Sequence, residues 1–312
     1  MKYNIKMRPF LFLITAVFFG ILTSFTQKEK IKRNKHLPKY FVAIPQGVLW
    51  DKQHMEYTMY VNPNPIKDSC DGFYISESEV TNGQYQLYLK SLKRKNQMEA
   101  CHKAKPDTTV WGEALRNDDP YMMHYFQHPA YKNYPLVGVT KEQANNYCKW
   151  LSDSLNSSNT KLKVTIRLPS RSEWIRAARG DNKNQYYSMT GPKLRNWKDL
   201  YLYNHKVVGE QNIYMDTETK QYMVLPRSSM SYTNLDDGAL ITTEVKSYWS
   251  NDFGTYNMCG NVAEMIADDS IALGGSWLDP GFDIRIESAK PATKPSCLIG
   301  FRVVANIKPV SD

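Results

Sequence analysis

The cysteines and histidines are the residues of this 312-residue chain that could bind a metal ion or exchange electrons. The five cysteines lie far apart and include no Cys-x-x-Cys pair, which argues against a zinc ribbon or a thioredoxin-type site. Among the six histidines, only His124 and His128 have helical spacing, and Pro129 follows them directly. A structural or surface role is therefore favoured for both over metal binding. The cysteines are Cys70, Cys101, Cys148, Cys259 and Cys297.

The carboxylates, serines and glycines match no common enzyme template. The sequence contains no Gly-x-Ser-x-Gly elbow, no phosphate-binding loop and no dinucleotide-binding glycine pattern. The acidic pairs Asp236-Asp237 and Asp268-Asp269 are adjacent in sequence, which is poor spacing for two groups that must flank a reacting bond. None of these patterns predicts a reaction.

Three helix starts stand out among the elements that must position any site. In each, a hydroxyl residue precedes Gln or Glu by three positions, so that each side chain can bond the backbone amide of the other. They predict helices over about residues 82–92, 141–155 and 171–179. The pairs are Thr81 with Gln84, Thr140 with Gln143, and Ser170 with Glu173.

The rest of the chain predicts short strands and many loops. Residues 40–45 and 73–76 are typical of strands, and the chain beyond Gly180 predicts irregular structure around a modest sheet. The stretch 97–131 is interpreted as an insertion with little regular structure.

The N-terminus has the pattern of an export signal. Positive residues precede the apolar run 10–25, so residues 1–26 are interpreted as a signal peptide cleaved before Gln27 or as an uncleaved anchor. Residues 27–39 form a basic tether, for which a solvated linker is favoured over a membrane or nucleic-acid contact. Both interpretations place the protein in the periplasm or envelope. Lipidation is not expected, because no cysteine precedes Cys70.

An oxidising compartment would permit disulfides. Cys70 and Cys101 are the first pair expected to form one, because both lie in loop-like sequence. Cys148 falls on the apolar stripe of a predicted helix, so it is expected to be a small buried residue.

Six ordered motifs resemble one protein family. They cover about residues 40–305 and resemble the formylglycine-generating, or sulfatase-modifying, enzymes. The resemblance implies a single α+β domain over residues 40–312, related to C-type lectins and low in regular secondary structure. The motifs lie at residues 76–85, 134–150, 167–180, 253–264, 274–277 and 299–302.

A second resemblance lies within the insertion. Residues 106–111, 128–131 and 134–135 resemble the gliding-motility lipoproteins K and J of Bacteroidota. This implies protein partners in the type IX secretion and gliding machinery, including its periplasmic ring. The chain differs from those proteins in lacking their lipidation cysteine and in being short.

The resemblance also implies a copper-binding cysteine pair shortly after the Gly-Gly-Ser-Trp motif. The matching positions are Asp279 and Ile284, and no cysteine lies between Gly260 and Cys297. Soft thiolates suit Cu(I), and these side chains do not. The sequence therefore predicts no copper and a pseudoenzyme rather than an enzyme.

The family also implies structural calcium. Calcium prefers hard oxygen ligands from carboxylates, amides and backbone carbonyls. The alternative is that these residues only brace a loop. The ligands implied for the first site are Asn257, Gly260, Val262 and Glu264, and those for the second site are Asn204, His205, Asp237 and Ala239.

Two functions follow as hypotheses. The first is a non-catalytic structural or interaction protein of the envelope that uses the aromatic-rich insertion as a partner surface, unless that cluster packs on its own domain. The second is a ligand-binding protein or divergent enzyme that uses the vestigial groove, expected near Trp277, Asp279 and Arg285. The polar motif residues are interpreted as scaffold, and they are Arg167, Glu173, Trp174 and Arg302.

Overall fold

Three helices begin at the capping boxes that the sequence predicts. They are α1 (Asn82–Arg94), α5 (Lys141–Asn156) and α6 (Arg171–Arg179), and each has both reciprocal hydrogen bonds of the box. Local side-chain chemistry thus fixes where each helix starts.

The computed structural model describes residues 34–51, 66–115, 119–157, 162–181, 185–189, 193–208, 212–220, 222–224 and 239–310. Residues 32–312 form one compact unit. The predicted signal segment and most of the basic tether lie outside the described residues. None of the helices in the described part has the length and apolar character of a membrane span.

Helices α1 and α5 pack together through aromatic side chains. Tyr85 of α1 stacks on Tyr147 of α5 with ring centroids 5.5 Å apart, and Tyr88 meets Tyr147 edge to face at 5.9 Å. Such pairs add stabilisation beyond the apolar area that they bury. Cys148 lies in the same buried layer, as predicted.

The C-terminal strand lies in the middle of the main sheet. Val304 pairs with Ile75 on one side and with Arg167 on the other, and every pairing in this sheet is antiparallel. The sheet order is β1 (Phe41–Ile44), β4 (Phe73–Ser76), β12 (Val304–Pro309) and β5 (Leu162–Arg167).

A second sheet carries the loops of the candidate site. The order is β10 (Ala289–Pro291), β9 (Ile271–Leu273), β8 (Ala263–Met265) and β11 (Ile299–Gly300). Strands β8 and β11 run parallel, whereas the other pairs of this sheet are antiparallel. Two hairpins complete the described strands, β2 (Gly47–Asp51) with β3 (Ile66–Cys70) and β6 (Ile213–Met215) with β7 (Tyr222–Val224).

The insertion 97–131 is more regular than the sequence predicts. Three six-residue helices and one 3-10 turn lie in it, and they went unpredicted because such short helices show too few turns of periodicity. Gln97, which precedes the first of them, makes no side-chain cap. The elements are α2 (Met98–Lys103), α3 (Val110–Leu115), α4 (Asp119–His124) and the turn Pro129–Tyr131.

The aromatic cluster of the insertion packs on its own domain. Trp111 and Tyr125 are each 1% exposed, and the Trp111 ring lies 4.5 Å from Tyr125 and 6.2 Å from Trp277, centroid to centroid. The hypothesis that these aromatics form a partner surface is therefore wrong for the buried members. His128 caps the turn that follows it, accepting from the Ala130 amide at 3.2 Å, a structural role.

The expected bond between Cys70 and Cys101 is absent. All five cysteines are buried thiols. Cys70 packs in the core layer around α6, whereas Cys101 packs between α1 and α2 with its sulfur 3.8 Å from the Leu89 carbonyl. The two thiols belong to different core layers, which explains why the sequence-based pairing fails.

Candidate functional site

A hydroxyl, a carboxylate and an ammonium group are in contact around the loop that contains Trp277. The Asp279 carboxylate accepts from the Ser276 amide at 2.7 Å and from the Ser276 hydroxyl at 2.6 Å. Lys290, on β10, forms an ion pair with Asp279 and lies 3.5 Å from the Ser276 hydroxyl. Ser276 is buried, whereas the Asp279 and Lys290 side chains are about one-fifth exposed. The carboxylate and the ammonium group therefore neutralise each other within this loop.

The side chains of the same loop do not suit a pair of copper-binding residues. Asp279 is already paired with Lys290, and Ile284 is completely buried and aliphatic. Burial, and next the neighbouring Asp279 carboxylate, raise the pKa of Asp283. These hard or apolar groups do not fit Cu(I).

An open groove of about 690 Å³ borders this loop. The Lys206 amide donates to the Asp279 carbonyl at 2.9 Å, which joins one wall of the groove to the loop. Phe282 is 47% exposed where it lines the groove. The other lining residues include Lys193, Arg195, Asp199, Tyr201 and His205.

The groove is predominantly basic. Among the described residues, the cationic side chains that line it are Lys193, Arg195 and Lys206, and the carboxylate is that of Asp199. The Arg195 guanidinium lies 4.1 Å from the Tyr201 ring centroid and 2.8 Å from an Asp199 carboxylate oxygen. Complementary charge favours an anionic ligand.

The groove differs from the one expected around Trp277 and Arg285. Trp277 is buried and donates to the Cys297 carbonyl at 3.3 Å. Arg285 is 7% exposed, lies 3.3 Å from the Phe282 ring centroid and donates to the Phe282 carbonyl at 2.9 Å. Arg285 therefore supports Phe282 in the groove wall, whereas Trp277 packs in the core against the insertion. Neither presents a surface to a ligand.

The first predicted calcium site contains a buried ion pair. Both Glu264 oxygens accept from Arg302, at 2.5 and 2.6 Å, and one also accepts from the Trp174 indole at 2.7 Å. Glu264 and Arg302 are completely buried. A carboxylate satisfied by a bidentate guanidinium does not fit calcium in this geometry. Calcium binding by the other three residues remains a prediction.

Asn257, Gly260 and Val262 lie in the tight loop before β8. The Asn257 amide donates to Glu79 at 3.2 Å and to the Val245 carbonyl at 3.2 Å. Gly260 has a φ of 75°, and a β-carbon there would lie 2.3 Å from the Asn204 carbonyl oxygen. Val262 is buried against the insertion. This loop is close-packed, which explains the glycine.

Two residues of this network escaped the sequence analysis. Asn261 is completely buried and donates to Glu79 at 2.8 Å, while its oxygen accepts from the Thr243 amide at 2.9 Å. Glu79 is 1% exposed. Both belong to recognised motifs, but their partners lie far away along the chain, so no local signal reveals the contact.

Glu79 is a buried carboxyl of this network that accepts from amide groups, whereas Arg302 donates to Glu264. In the part of the chain that the structure describes, no cation is bonded directly to Glu79. Burial, and next the neighbouring Glu264 carboxylate, raise the pKa of Glu79 to about 8.

The second predicted calcium site is partly described. Asn204 is buried and donates to the Ile241 carbonyl at 2.9 Å, and the ring of buried His205 lies 3.0 Å from the Tyr203 carbonyl. Ala239 is half-buried, and Asp237 lies outside the described residues. Within the described ranges, no group of three or more His, Cys, Asp or Glu side chains could hold a metal ion.

Comparison with known proteins decides the family. The profile of the sulfatase-modifying factor enzyme 1-like domain matches residues 27–307. The chain belongs to this family. Within the sulfatase-modifying factor family, it is 25% identical over 239 residues to the formylglycine-generating enzyme of Streptomyces coelicolor, covering 70% of this chain. It spans 62% of the length of that relative.

Solved structures confirm the predicted α+β fold of the formylglycine-generating-enzyme type. PvdO from Pseudomonas aeruginosa has a TM-score of 0.53 at 18% identity, with 88% of this chain and 96% of that chain covered. CarF has 0.51 at 18% identity, covering 88% and 99%. Treponema denticola variable protein 1 has 0.52 at 16% identity, covering 85% and 94%. At these identities the likeness establishes the fold alone.

The prediction that this family member is a pseudoenzyme is wrong. The curated relative that it matches is itself an enzyme, the formylglycine-generating enzyme. The prediction equated the loss of one cysteine pair with the loss of catalysis. Other polar groups stand at that place, including Asp279 and Lys290.

Proposed function

We propose that this protein works in the bacterial cell envelope and binds an anionic ligand in the basic groove beside Asp279. The observation that carries the proposal is the excess of cationic side chains along an open groove. Its volume falls within the range of about 300–1,000 Å³ that is usual for ligand sites. The groove also borders the loop at which the family resemblance places catalysis.

The groove can hold and orient a ligand through its own side chains. Lys193 and Arg195 supply positive charge, and Phe282 offers an exposed aromatic face. The Asp279–Lys290 pair does not line the groove, and the Asp279 carbonyl accepts from the Lys206 amide of its wall. Ligand binding is the activity that this arrangement supports.

Calorimetry with synthetic peptides tests the binding step. A glutamate-rich peptide should bind the full chain more tightly than a lysine-rich peptide of equal length, and added salt should weaken it because exposed charges are screened. Lys193→Glu should weaken binding at least fivefold. Lys163→Glu, an exposed change on β5 outside the groove lining, is the matched control.

Equal binding of both peptides, or equal losses in the two variants, would overturn the groove assignment. Retained folding is checked by thermal melting, which neither exposed substitution should shift by more than a degree or two.

A second proposed role is an interaction component of the type IX secretion or gliding machinery, with partners in its periplasmic ring. The observation that favours it is the set of insertion motifs at residues 106–111 and 128–131, together with the export-type N-terminus. Removing a loop that contains buried Tyr125 would damage the fold. Met123, 61% exposed on α4, gives a safer probe.

Affinity purification from envelope extracts tests this role. Met123→Asp should reduce co-purification of ring or motility proteins, whereas Leu240→Asp, an equally exposed change elsewhere, should not. If no such proteins accompany the wild-type chain, the proposed role fails.

The proposal includes a structural calcium ion bound at the second predicted calcium site. Melting with added calcium and then with EGTA tests it, since ligand at 100 times Kd should add about 2.7 kcal/mol to the unfolding free energy. An identical midpoint in both conditions would reject it.

A further inference from the structure

Trp197 is the most exposed large apolar residue among those described, with 89% of its surface accessible. Leu200 nearby is 51% exposed. A tryptophan buries about 150–250 Å² when it packs. Leaving this much apolar surface in water is unfavourable, so its position in the fold requires a reason.

A hydrogen-bonded turn holds the Trp197 side chain outward. Arg195 and Tyr201 pair across it, and the Asn196 amide donates to the Leu200 carbonyl at 2.9 Å. The Asn196 side-chain oxygen accepts from the Lys198 and Leu200 amides at 2.9 and 3.1 Å. The turn is therefore preorganised, and the exposure of Trp197 follows from backbone bonds.

The turn that carries the exposed ring is positively charged. Lys193 and Lys198 are both exposed, and the Lys198 ammonium lies 4.9 Å from a Trp197 ring centroid. Asp199 is the single acid of the turn, and it is paired with Arg195 at 2.8 Å. After that pair is subtracted, the two lysines leave the turn cationic.

We propose that the turn 193–201 inserts into an anionic lipid surface. Trp197 and Leu200 enter the boundary between headgroups and acyl chains, and Lys193 and Lys198 contact lipid phosphates. Tryptophan favours this boundary because its body is apolar and its N–H can stay hydrated. Each lysine near an anionic surface strengthens binding about fivefold.

The size of the turn favours lipid over a protein partner. A stable protein interface buries about 800 Å² on each side. Two apolar side chains on one narrow turn supply much less, whereas lipid insertion requires only a few such side chains. The turn shares Lys193 and Arg195 with the groove, whereas Trp197, Lys198 and Leu200 do not line it. Variants of these last three residues therefore test the insertion without changing the ligand contacts of the groove, and failure of either proposal leaves the other testable.

Quenching by brominated lipids tests the insertion. The full chain is mixed with vesicles of brominated phosphatidylglycerol and phosphatidylcholine, or of brominated phosphatidylcholine alone, and tryptophan fluorescence is recorded. The anionic vesicles should quench part of the tryptophan fluorescence. Trp197→Phe should remove this quenched part, whereas Trp249→Phe, a control at a site 47% exposed, should retain it. Lys198→Gln, which does not alter the groove lining, should lower this quenching about fivefold.

The apolar N-terminal segment is present in every variant and can itself bind vesicles. The decisive measurement is therefore the quenching of tryptophan fluorescence rather than the amount of protein bound. Equal quenching in wild type and Trp197→Phe would overturn the proposal, as would equal quenching by both lipid mixtures. Protection of Trp197 from acrylamide by an envelope protein fraction, without any lipid quenching, would assign the turn to a protein partner and also overturn it.

Discussion

At the scale of single residues, the Arg302–Glu264 pair links the central sheet to the loops of the site. Arg302 also donates to the Ser76 carbonyl at 3.2 Å and to the Tyr256 carbonyl at 2.7 Å. Its planar fork satisfies one carboxylate and several loop carbonyls at once, which a lysine could not do.

We expect Arg302→Met to lower the unfolding free energy by about 3–5 kcal/mol, because it leaves Glu264 buried and charged without its partner. Adding Glu264→Gln should recover part of the loss, since it removes that charge while an amide oxygen can still accept from Trp174. Urea unfolding of the two single variants and the double variant measures the coupling. Strictly additive losses would contradict the prediction.

The pH dependence of stability should report on Glu79. Its pKa rises from 4.5 to about 8 on folding, so the folded chain holds a proton there that the unfolded chain has lost. Stability from this group is complete below pH 4.5 and falls as pH rises through about 8. Urea unfolding across this range should show the decline in wild type.

Glu79→Gln should flatten that decline, because a neutral amide replaces the titrating group. Glu77→Gln is the matched control: this neighbouring carboxylate is partly exposed and paired with Lys246 at 2.6 Å. A wild-type slope that persists in Glu79→Gln would show that another group is responsible.

The sequence predicts a scaffold role for Arg302 and Trp174 and a calcium ligand at Glu264, and the structure pairs Glu264 with Arg302. A motif identifies which residues matter, yet whether a metal ion or a guanidinium pairs with Glu264 depends on a side chain 38 positions away. The same distance effect hid Glu79, whose donor Asn261 lies 182 positions further on.

At the scale of elements, local chemistry was sufficient for the helices with complete caps. Predicted and observed starts agree at Asn82, Lys141 and Arg171, because a capping box satisfies amides within four consecutive residues. The sheet order could not be predicted, since β12 pairs with β4 across most of the chain.

We expect Thr140→Ala to cost about 1 kcal/mol of stability, because α5 loses the hydroxyl that accepts from the Gln143 amide at 3.1 Å. Thr140→Ser keeps the oxygen and should cost only a few tenths of that. Thermal or urea unfolding of the two variants decides the matter. A serine variant as unstable as the alanine variant would point to packing of the threonine methyl group instead.

At the scale of the whole molecule, the insertion is part of the core. Val110, Trp111 and Tyr125 form one buried cluster with Trp277 and Cys297, which come from the loops that border the candidate site. The Tyr125 hydroxyl lies 2.7 Å from the Pro135 carbonyl and 2.8 Å from the Thr242 hydroxyl. Perturbing the insertion should therefore reach the site.

Trp111→Ala should lower the unfolding free energy by about 3–5 kcal/mol, since it removes a large buried side chain and leaves a cavity. Because Trp277 loses its stacking partner, the near-ultraviolet circular dichroism should change and binding of the acidic peptide should weaken. Met123→Ala, on the same insertion but 61% exposed, should change neither property. A Trp111→Ala variant of wild-type stability and affinity would mean that the insertion folds independently of the domain that carries the groove.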